Sequence, residues 1–278
     1  MLEKLIVDPS FFFIYSDYVD LKTAQANNLT YTSDDTFILR ADAKSKVSYN
    51  QPGRKSVRLV SMQTFKHHVA MYVASNPSLS GSITNVTSYH CSFDVRHMPQ
   101  GCSTWPSIWE AGLENWPADG EIDIIEGAND RTPNEITLHA TSGCNVPQTR
   151  EQTGNTLGTD CNTPEPDSVG CGVGDTNDNS YGPAFNDNGG GWYALERTDS
   201  FIKVWFWPRN VKPPSDVVAC GSQVNTDTWV SRFSRRSCVQ NQIFTPSVGY
   251  PNCVLPQHAV QHRQVWGEQH HHQLDSLW

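Results

Sequence analysis

Three carboxyl side chains lie within six residues of a segment that otherwise has the composition of a buried strand, Gly120-Glu121-Ile122-Asp123-Ile124-Ile125-Glu126-Gly127. Burial and like-charge neighbours both raise the free energy of ionising a carboxyl group. A strand that carries this much acid is therefore a candidate for chemistry that uses paired carboxyl groups. Cleavage of a glycosidic bond suits such a pair best, because one group acts as an acid while the other attacks or activates water.

A regular strand would not bring both glutamates to one side of the sheet. Side chains alternate along a strand, so Glu121 and Asp123 would share one face and Glu126 would point to the other. One extra residue at Ile124-Ile125, a β-bulge, would return Glu126 to the first face. We therefore predict a bulge inside this strand and two carboxyl groups about 5–5.5 Å apart, the separation found in retaining glycosidases. A polar, solvent-facing strand and part of a calcium site are the alternatives.

Such a geometry predicts a role for each of the three carboxyl groups. Glu121 would attack the anomeric carbon, and Glu126 would protonate the leaving oxygen and then activate a water molecule. Asp123 would hold Glu121 in place, and its charge would help to keep Glu126 protonated.

The elements that must position these groups are predicted to be short strands joined by turns. Alternating or apolar segments predict strands at residues 36–40, 56–60, 91–96, 122–126 and 135–139, and a hairpin of residues 192–196 and 201–207. Residues 145–188 are rich in Gly, Asn, Asp, Thr and Pro, which predicts a long loop region pinned by cysteines. Neither a repeat nor a dividing linker is visible. The pattern predicts a sandwich or jelly roll.

Composition and charge narrow the classes of partner. The chain has 278 residues and a formal net charge of -9, which argues against nucleic acid and anionic membranes as partners and suits a neutral polymer. No segment is long enough to span a bilayer. Eight cysteines without a Cys-x-x-Cys pair argue against zinc and predict a secreted protein with disulfides of open connectivity. Sequons at Asn28 and Asn85 are compatible with glycosylation.

The carboxylate motif and its surroundings resemble glycoside hydrolase family 16, in the bulged form of its laminarinase branch, and in particular secreted fungal endo-1,3(4)-β-glucanases. The similarity spans residues 18–71 and 93–236. The segments that carry it include Phe93–Cys102, Thr104–Pro106, Asn134–His139, Gly189–Arg197 and Phe201–Phe206. The resemblance implies an all-β, concanavalin-like β-jelly-roll sandwich whose concave face binds the glucan.

The resemblance also implies an activity and a set of site residues. The expected reaction is retaining endo-hydrolysis of β-1,3-glucans and mixed β-1,3/1,4-glucans by a secreted monomer that needs no cofactor and no catalytic metal. Glu121 matches the nucleophile, Asp123 the assisting acid and Glu126 the acid/base. The matching cleft residues are Trp109 and Trp116, which would stack on sugar rings, and His139, which would bond Glu126 or a sugar hydroxyl. Trp105 is assigned to the core.

Several alternatives stay open on the sequence alone. The same scaffold supports a cell-wall glucan transglycosylase, in which a sugar replaces water as the acceptor. A non-catalytic glucan-binding protein would not need Glu121 and Glu126 together, and an inactive product of a faulty gene model is a third reading. A structural calcium ion, the preference between laminarin and mixed-linkage glucan and the disulfide pairing are also open.

Three segments depart from the family pattern, and we interpret them as gene-model errors. Residues 1–17 resemble neither a signal peptide nor the family's first strand. Residues 72–92 interrupt the pattern and can be encoded with a splice donor, a branch point and a closing acceptor in frame, which indicates an unspliced intron. A genuine glycosylated loop is the alternative for that insert, since surface loops tolerate insertions.

The similarity ends near Arg236, and we interpret residues 237–278 as an out-of-frame tail. Shifted by one base, codons for His270–Trp278 can be read as Ile-Ile-Ile-Asn-Leu-Thr-Leu-Cys-Gly, which resembles a late core strand of the family. An expression tag and a zinc-binding histidine tract are the alternatives. The catalytic domain would then be residues 18–236, with the C-terminal strands missing and with unpaired sheet edges that favour aggregation.

Overall fold

Two large sheets packed face to face form the framework of the described residues in a computed structural model. The structure describes residues 16–33, 36–47, 53–65, 68–70, 93–101, 104–112, 115–163, 170–198, 201–219, 224–229, 239–244 and 260–266. The strands are β1 (Ser16–Tyr18), β2 (Thr30–Thr32), β3 (Phe37–Leu39), β4 (Arg54–Phe65), β5 (His68–Ala70), β6 (Phe93–Val95), β7 (Ser107–Ala111), β8 (Glu121–Glu126), β9 (Glu135–His139), β10 (Asn155–Thr156), β11 (Cys171–Gly174), β12 (Gly191–Arg197), β13 (Ile202–Pro208), β14 (Val239–Phe244) and β15 (Val260–Trp266).

The helices of the described residues are short. They are α1 (Leu21–Ala26), α2 (Gly182–Asp187) and α3 (Ser215–Ala219), together with single 3-10 turns at Asp178–Ser180 and Thr226–Thr228. Asp20 caps α1 by accepting a hydrogen bond of 2.7 Å from the backbone N–H of Thr23. None of the described helices is long and apolar enough to cross a membrane.

The first sheet has eight strands in the order β1-β4-β15-β7-β8-β9-β11-β10. All of its neighbouring pairs are antiparallel except the parallel pair of β1 and β4. The second sheet has the order β14-β13-β12-β5, and β6 also pairs with β12. Strands β2 and β3 form a separate hairpin. The two facing sheets confirm the predicted all-β sandwich.

The main core lies between the two sheets. Ile122, Ile124 and Ile136 point into it from the first sheet, and Tyr193 and Phe206 point into it from the second. All five are at most 1% exposed, and apolar burial of this kind is the main source of folding free energy. Since these isoleucines face the core, the polar side chains that alternate with them must lie on the other face of the first sheet.

The opposite face of the second sheet is also covered. Trp205 and Trp207 of β13 pack against Trp229 and against Val217 of α3 in a second buried cluster. The indole of Trp229 meets both of the other rings edge-on, with centroids 4.9 and 5.5 Å apart. The tryptophans of β13 are therefore packing residues.

The predicted strands agree closely with the structure, but the region predicted as a loop does not. Residues 145–188 contain β10, β11 and α2 in addition to irregular segments. Strand β11 was missed because its sequence is Cys171-Gly172-Val173-Gly174, and glycine lowers the strand signal. The Leu157 side chain lies over both glycines, 3.4 Å from a Cβ built at either position.

The expectation that the C-terminal strands are missing is wrong for two strands of the tail. Strand β14 extends the second sheet beside β13. Strand β15 lies inside the first sheet and pairs antiparallel with β4 on one side and β7 on the other. Several other predicted features lie outside the described residues. They include residues 1–15, the insert at 72–92, Asn85 and His270–Trp278.

Candidate active site

The acidic strand β8 contains the predicted bulge. In its pairing with β7, Ile125 lies opposite Ile108 and Asp123 lies opposite Trp109, so that Ile124 is the extra residue. Ile122, Ile124 and Ile125 are all buried in the core between the sheets. Glu121 and Glu126 are partly exposed, whereas Asp123 between them is only 2% exposed. The bulge therefore lets two adjacent isoleucines enter the core while the three carboxyl groups lie on the other face.

Each of the two glutamates accepts a hydrogen bond from a tryptophan. The Trp105 Nε1–H group donates to Glu126 Oε1 at 3.1 Å. The Trp116 Nε1–H group donates to Glu121 Oε2. Trp116 is 42% exposed, so its ring is available to a ligand beside Glu121. The assignment of Trp105 to the core missed its contact with Glu126, because an indole N–H donor is not visible in a hydrophobicity pattern.

The central carboxyl group, Asp123, lies beside a histidine. His139 lies opposite Glu121 in the pairing of β8 with β9, and its Nε2 atom is 3.1 Å from Asp123 Oδ2. The other ring nitrogen, Nδ1, is 3.0 Å from the Thr163 hydroxyl. The structure thus gives His139 a different carboxylate partner from the predicted Glu126.

Thr163 supports the imidazole from its other side. The Thr163 hydroxyl lies 3.0 Å from His139 Nδ1 and donates to the Cys161 carbonyl at 3.2 Å. His139 is thus held between two buried residues, Asp123 and Thr163.

A disulfide and a glycine hold the histidine in place. Cys161 is bonded to Cys171 of β11, and this bond anchors the segment that carries Thr163. Cys144 is disulfide-bonded as well. Gly170 has a φ of +64°, and a Cβ there would lie 2.8 Å from His139 Nδ1. Only glycine fits this close approach without displacing the ring.

A buried tyrosine supports the end of the acidic strand. The Tyr181 hydroxyl contacts the carbonyl groups of Pro106, at 2.8 Å, and Gly127. Burial raises the pKa of the Tyr181 hydroxyl far above its usual range, and the charges of Glu126 and Asp130 raise it further. Tyr181 therefore stays protonated and acts as a hydrogen-bond donor to the backbone that frames β8.

Trp109 shares the carboxylate face but is nearly buried. It lies opposite Asp123 in the pairing of β7 with β8. Its ring packs against Tyr18 and Ala111, and the Arg58 guanidinium lies 5.4 Å from the ring centroid. The ring is 9% exposed, so a sugar could meet only its edge in this conformation. The contact with a ligand that the sequence predicts for Trp109 remains a prediction.

The described residues hold no group of three or more His, Cys, Asp or Glu side chains that could bind a metal ion. The site offers a pair of carboxyl groups on one face, an indole donor on each and a third, buried carboxyl group that lies 3.1 Å from His139 Nε2. This arrangement can supply a nucleophile and a proton donor to the same bond.

Comparison with known proteins identifies the family. A model described as an XgeA-like catalytic GH16 domain matches residues 77–249, more than half of the chain. The chain belongs to glycoside hydrolase family 16. The match starts inside the insert suspected at residues 72–92 and ends inside the tail suspected from residue 237. The interpretation of those segments as gene-model errors remains a prediction.

Relatives within glycoside hydrolase family 16 include fungal glucanases. A probable endo-1,3(4)-β-glucanase of Aspergillus clavatus is 38% identical over 203 residues, which are 72% of this chain and 28% of that protein. The chain thus spans little more than a quarter of the length of this relative. Laminarinase 16A from Phanerochaete chrysosporium, solved with β-glucans in its donor and acceptor sites, is 41% identical. Its TM-score is 0.77, with 95% of this chain and 78% of that one covered.

A third relative in the family carries out a different reaction. An elongating family 16 β-1,3-glucosyltransferase is 27% identical to this chain, with a TM-score of 0.72. The match covers 98% of this chain and 82% of that one. Membership of glycoside hydrolase family 16 therefore leaves a choice between water and a sugar as the acceptor.

Proposed function

We propose that this family 16 domain hydrolyses internal bonds of β-1,3-glucans and mixed β-1,3/1,4-glucans with retention of configuration at the anomeric carbon. The observation that carries the proposal is the bulge at Ile124, since it allows Glu121 and Glu126 to act on the same bond. The similarity to a probable endo-1,3(4)-β-glucanase and to laminarinase 16A supports the substrate class.

In the proposed first step, Glu121 attacks the anomeric carbon as the glycosidic bond breaks. The leaving oxygen takes the proton of Glu126, which becomes a carboxylate. The Trp116 N–H group bonded to Glu121 supports an ionised nucleophile, because a hydrogen bond to a carboxylate favours its charged form.

In the second step, Glu126 removes a proton from a water molecule that attacks the anomeric carbon, and Glu121 leaves as a carboxylate. Glu126 ends the cycle protonated, as it began. Asp123 and His139 act beside this exchange. In the proposed cycle, a positive charge on His139 would offset the buried charge of Asp123, 3.1 Å away, between the two glutamates.

We also propose that the protein is secreted and acts as a monomer on polysaccharide outside the cell. The bond between Cys161 and Cys171 and the further disulfide at Cys144 support an oxidising compartment, because such bonds seldom persist in the cytosol. Asn28 of the first sequon is exposed in the turn after α1, so it is accessible to glycosylation. A glycan at Asn28 would fit the same compartment.

Transfer to a sugar acceptor is the second candidate function. It is favoured by the similarity to the elongating β-1,3-glucosyltransferase. Both reactions share the first step and differ only in whether water or a sugar hydroxyl meets the glycosyl-enzyme. Mass spectrometry of the products distinguishes them, since transfer yields oligosaccharides longer than the substrate.

The proposed function is tested with laminarin, with a mixed-linkage β-glucan and with laminarin oligosaccharides of defined length. New reducing ends should appear within the chain, and proton NMR should show the β-anomer as the first product. Replacing Glu121→Gln should lower kcat by more than about 10³-fold, since no covalent intermediate can form. Glu135→Gln, which alters an exposed carboxylate on β9, should leave kcat near the wild-type value. An α-anomer as first product, or an active Glu121→Gln variant, would refute the mechanism.

A further inference from the structure

On the side that faces β9, backbone groups of β8 at the bulge have no partner in a neighbouring strand. Pairing of β8 with β9 covers Glu121, Ile122 and Asp123 and stops before the bulge. Beyond it, the Ile124 carbonyl and the Glu126 N–H group both point to one side chain, that of Asn134. The Asn134 Nδ2 group donates to Ile124 O at 2.9 Å, and Oδ1 accepts from Glu126 N–H at 2.9 Å. A carboxamide thus takes the place of a peptide group of the neighbouring strand.

Asn134 is itself fixed from two further directions. It is 0% exposed. Its backbone N–H group donates to the Ser180 hydroxyl at 2.8 Å, and its carbonyl accepts from the Asp175 N–H group at 2.8 Å. Ser180 is also fully buried. The carboxamide therefore cannot follow β8 if that strand shifts, and it sets the path of the backbone on both sides of Ile125.

We propose that Asn134 is a positioning residue that holds the bulge closed and thereby aims the Glu126 carboxyl group at the bond to be cleaved. This inference rests on the proposed function, in which Glu126 is the acid/base. If the bulge relaxed into a regular pleat, Glu126 would turn toward the core face, because one residue of slippage exchanges the two faces of a strand. Glu121 lies before the bulge, within the paired part of β8, so its position does not depend on Asn134.

This difference between the two glutamates gives the proposal a specific chemical signature. Loss of Asn134 should impair steps that need proton transfer by Glu126 and spare attack by Glu121. Some glycosides have an activated leaving group that departs without taking up a proton. The dinitrophenolate of a 2,4-dinitrophenyl β-glycoside of laminaribiose is such a group. Azide attacks the glycosyl-enzyme without a general base, forming a bond between its nitrogen and the anomeric carbon as the Glu121 carboxylate departs.

The experiment compares Asn134→Ala with wild type on laminarin oligosaccharides and on the dinitrophenyl glycoside. We expect kcat/KM on the oligosaccharides to fall by about 10²-fold, within the usual contribution of general acid catalysis. For the dinitrophenyl glycoside, kcat/KM should be largely retained. Azide should raise kcat of the variant and yield a β-glycosyl azide. It should leave the wild-type rate unchanged.

Asn186→Ala is the matched control. Asn186 also bridges backbone groups with its carboxamide, accepting from Met98 N–H at 2.8 Å and donating to Met98 O at 2.9 Å, away from the acidic strand. It should lose stability but keep the wild-type ratio of the two kcat/KM values. If Asn134→Ala lowers activity on both substrates equally and azide has no effect, Asn134 is only structural and the proposal is overturned.

A second variant and the wild-type assay keep the outcomes distinct. Should Asn134→Ala fail to accumulate, Asn134→Asp serves instead, since it keeps the acceptor for Glu126 N–H and loses the donor to Ile124. It should show the same dependence on the leaving group to a smaller extent, and equal loss on both substrates would overturn the proposal. If wild type cleaves neither substrate, the proposed function has failed, which is a different result from a selective or a uniform loss in the variants.

Discussion

At the scale of single residues, the site separates three chemically similar carboxyl groups by their neighbours. Glu121 and Glu126 each accept a hydrogen bond from an indole N–H, but Trp116 is exposed whereas Trp105 is partly buried. Asp123 is buried, and its Oδ2 atom lies 3.1 Å from His139 Nε2. Different surroundings are what allow carboxyl groups in one site to take different roles.

Trp116 should have two separable functions. Trp116→Phe keeps an aromatic face and loses the N–H donor to Glu121, so kcat on laminarin oligosaccharides should fall about 10-fold, as expected for a hydrogen bond to a charged group. Trp116→Ala also loses the exposed ring and should raise KM in addition. Steady-state kinetics on both variants test this. A rise in KM for Trp116→Phe with unchanged kcat would contradict the assignment of the N–H group.

Glu196 gives a prediction about stability that is independent of the site. Burial is the main cause that raises the pKa of Glu196 above its ordinary value of 4.5, and Asp227 adds to it, while Thr226 and Lys203 act in the opposite direction. A raised pKa in the folded state means that the protonated form favours folding. The contribution of Glu196 is therefore fully present below pH 4.5 and is lost as pH rises through the raised pKa.

Glu196→Gln should thus become progressively more stable than wild type as pH increases, whereas at low pH the two proteins should differ little. Urea unfolding of both proteins between pH 4 and pH 8 measures the difference. Curves that converge with rising pH would show that the interaction with Lys203 outweighs the cost of burial.

At the scale of elements, the sequence predicts those parts of the site that depend on a local pattern of residues. It does not predict parts that depend on contacts between distant residues. The bulge follows from the requirement that two glutamates share a face, and the hairpin of β12 and β13 follows from apolar alternation. The roles of Thr163 and Asn134 could not be predicted, since their partners lie 24 and up to 10 residues away across turns. Strand β11 could not be predicted because glycine at two of its four positions lowers the strand signal.

The backbone conformation at Gly170 should affect both the stability of the protein and the position of His139 in the site. Its φ is +64°, and a Cβ would lie 2.7 Å from the Leu138 carbonyl and 2.8 Å from His139 Nδ1. Gly170→Ala should destabilise the protein by about 3 kcal/mol through backbone strain and overpacking. It should also lower kcat, because the imidazole must move away from its present position.

Gly189→Ala is the matched control for that change. Gly189 has a φ of +78°, but its nearest contact from a Cβ would be the flexible Arg209 side chain at 3.6 Å. Gly189→Ala should lower the free energy of unfolding by about 1 kcal/mol, because alanine is strained at a positive φ, and it should leave kcat unchanged. Equal urea midpoints for the two variants would show that the close contacts at Gly170 relax without cost.

At the scale of the whole molecule, the first sheet is completed by the part of the chain that sequence similarity describes least well. Val260-Gln261-His262-Arg263-Gln264-Val265-Trp266 has a weak strand pattern, with one short polar run between apolar ends. Its place between β4 and β7 is set by backbone pairing with segments more than 140 residues away in sequence, which no local pattern encodes. The expectation of missing strands followed from the loss of family similarity after Arg236, whereas the place of β15 in the sheet is decided by topology.

Removal of β15 should therefore cost the protein its fold. A chain ending at residue 259 leaves the facing backbones of β4 and β7 unpaired in the middle of the eight-stranded sheet. Two new edges of this kind favour aggregation, so the truncated protein should be insoluble or lack cooperative unfolding. A matched chain ending at residue 266 keeps every described strand and controls for loss of length. Soluble yield, light scattering and thermal unfolding by circular dichroism measure both. If the shorter chain were monomeric and unfolded cooperatively at the same temperature as the control, β4 and β7 would have to pair directly, and β15 would not be an integral strand of the sheet.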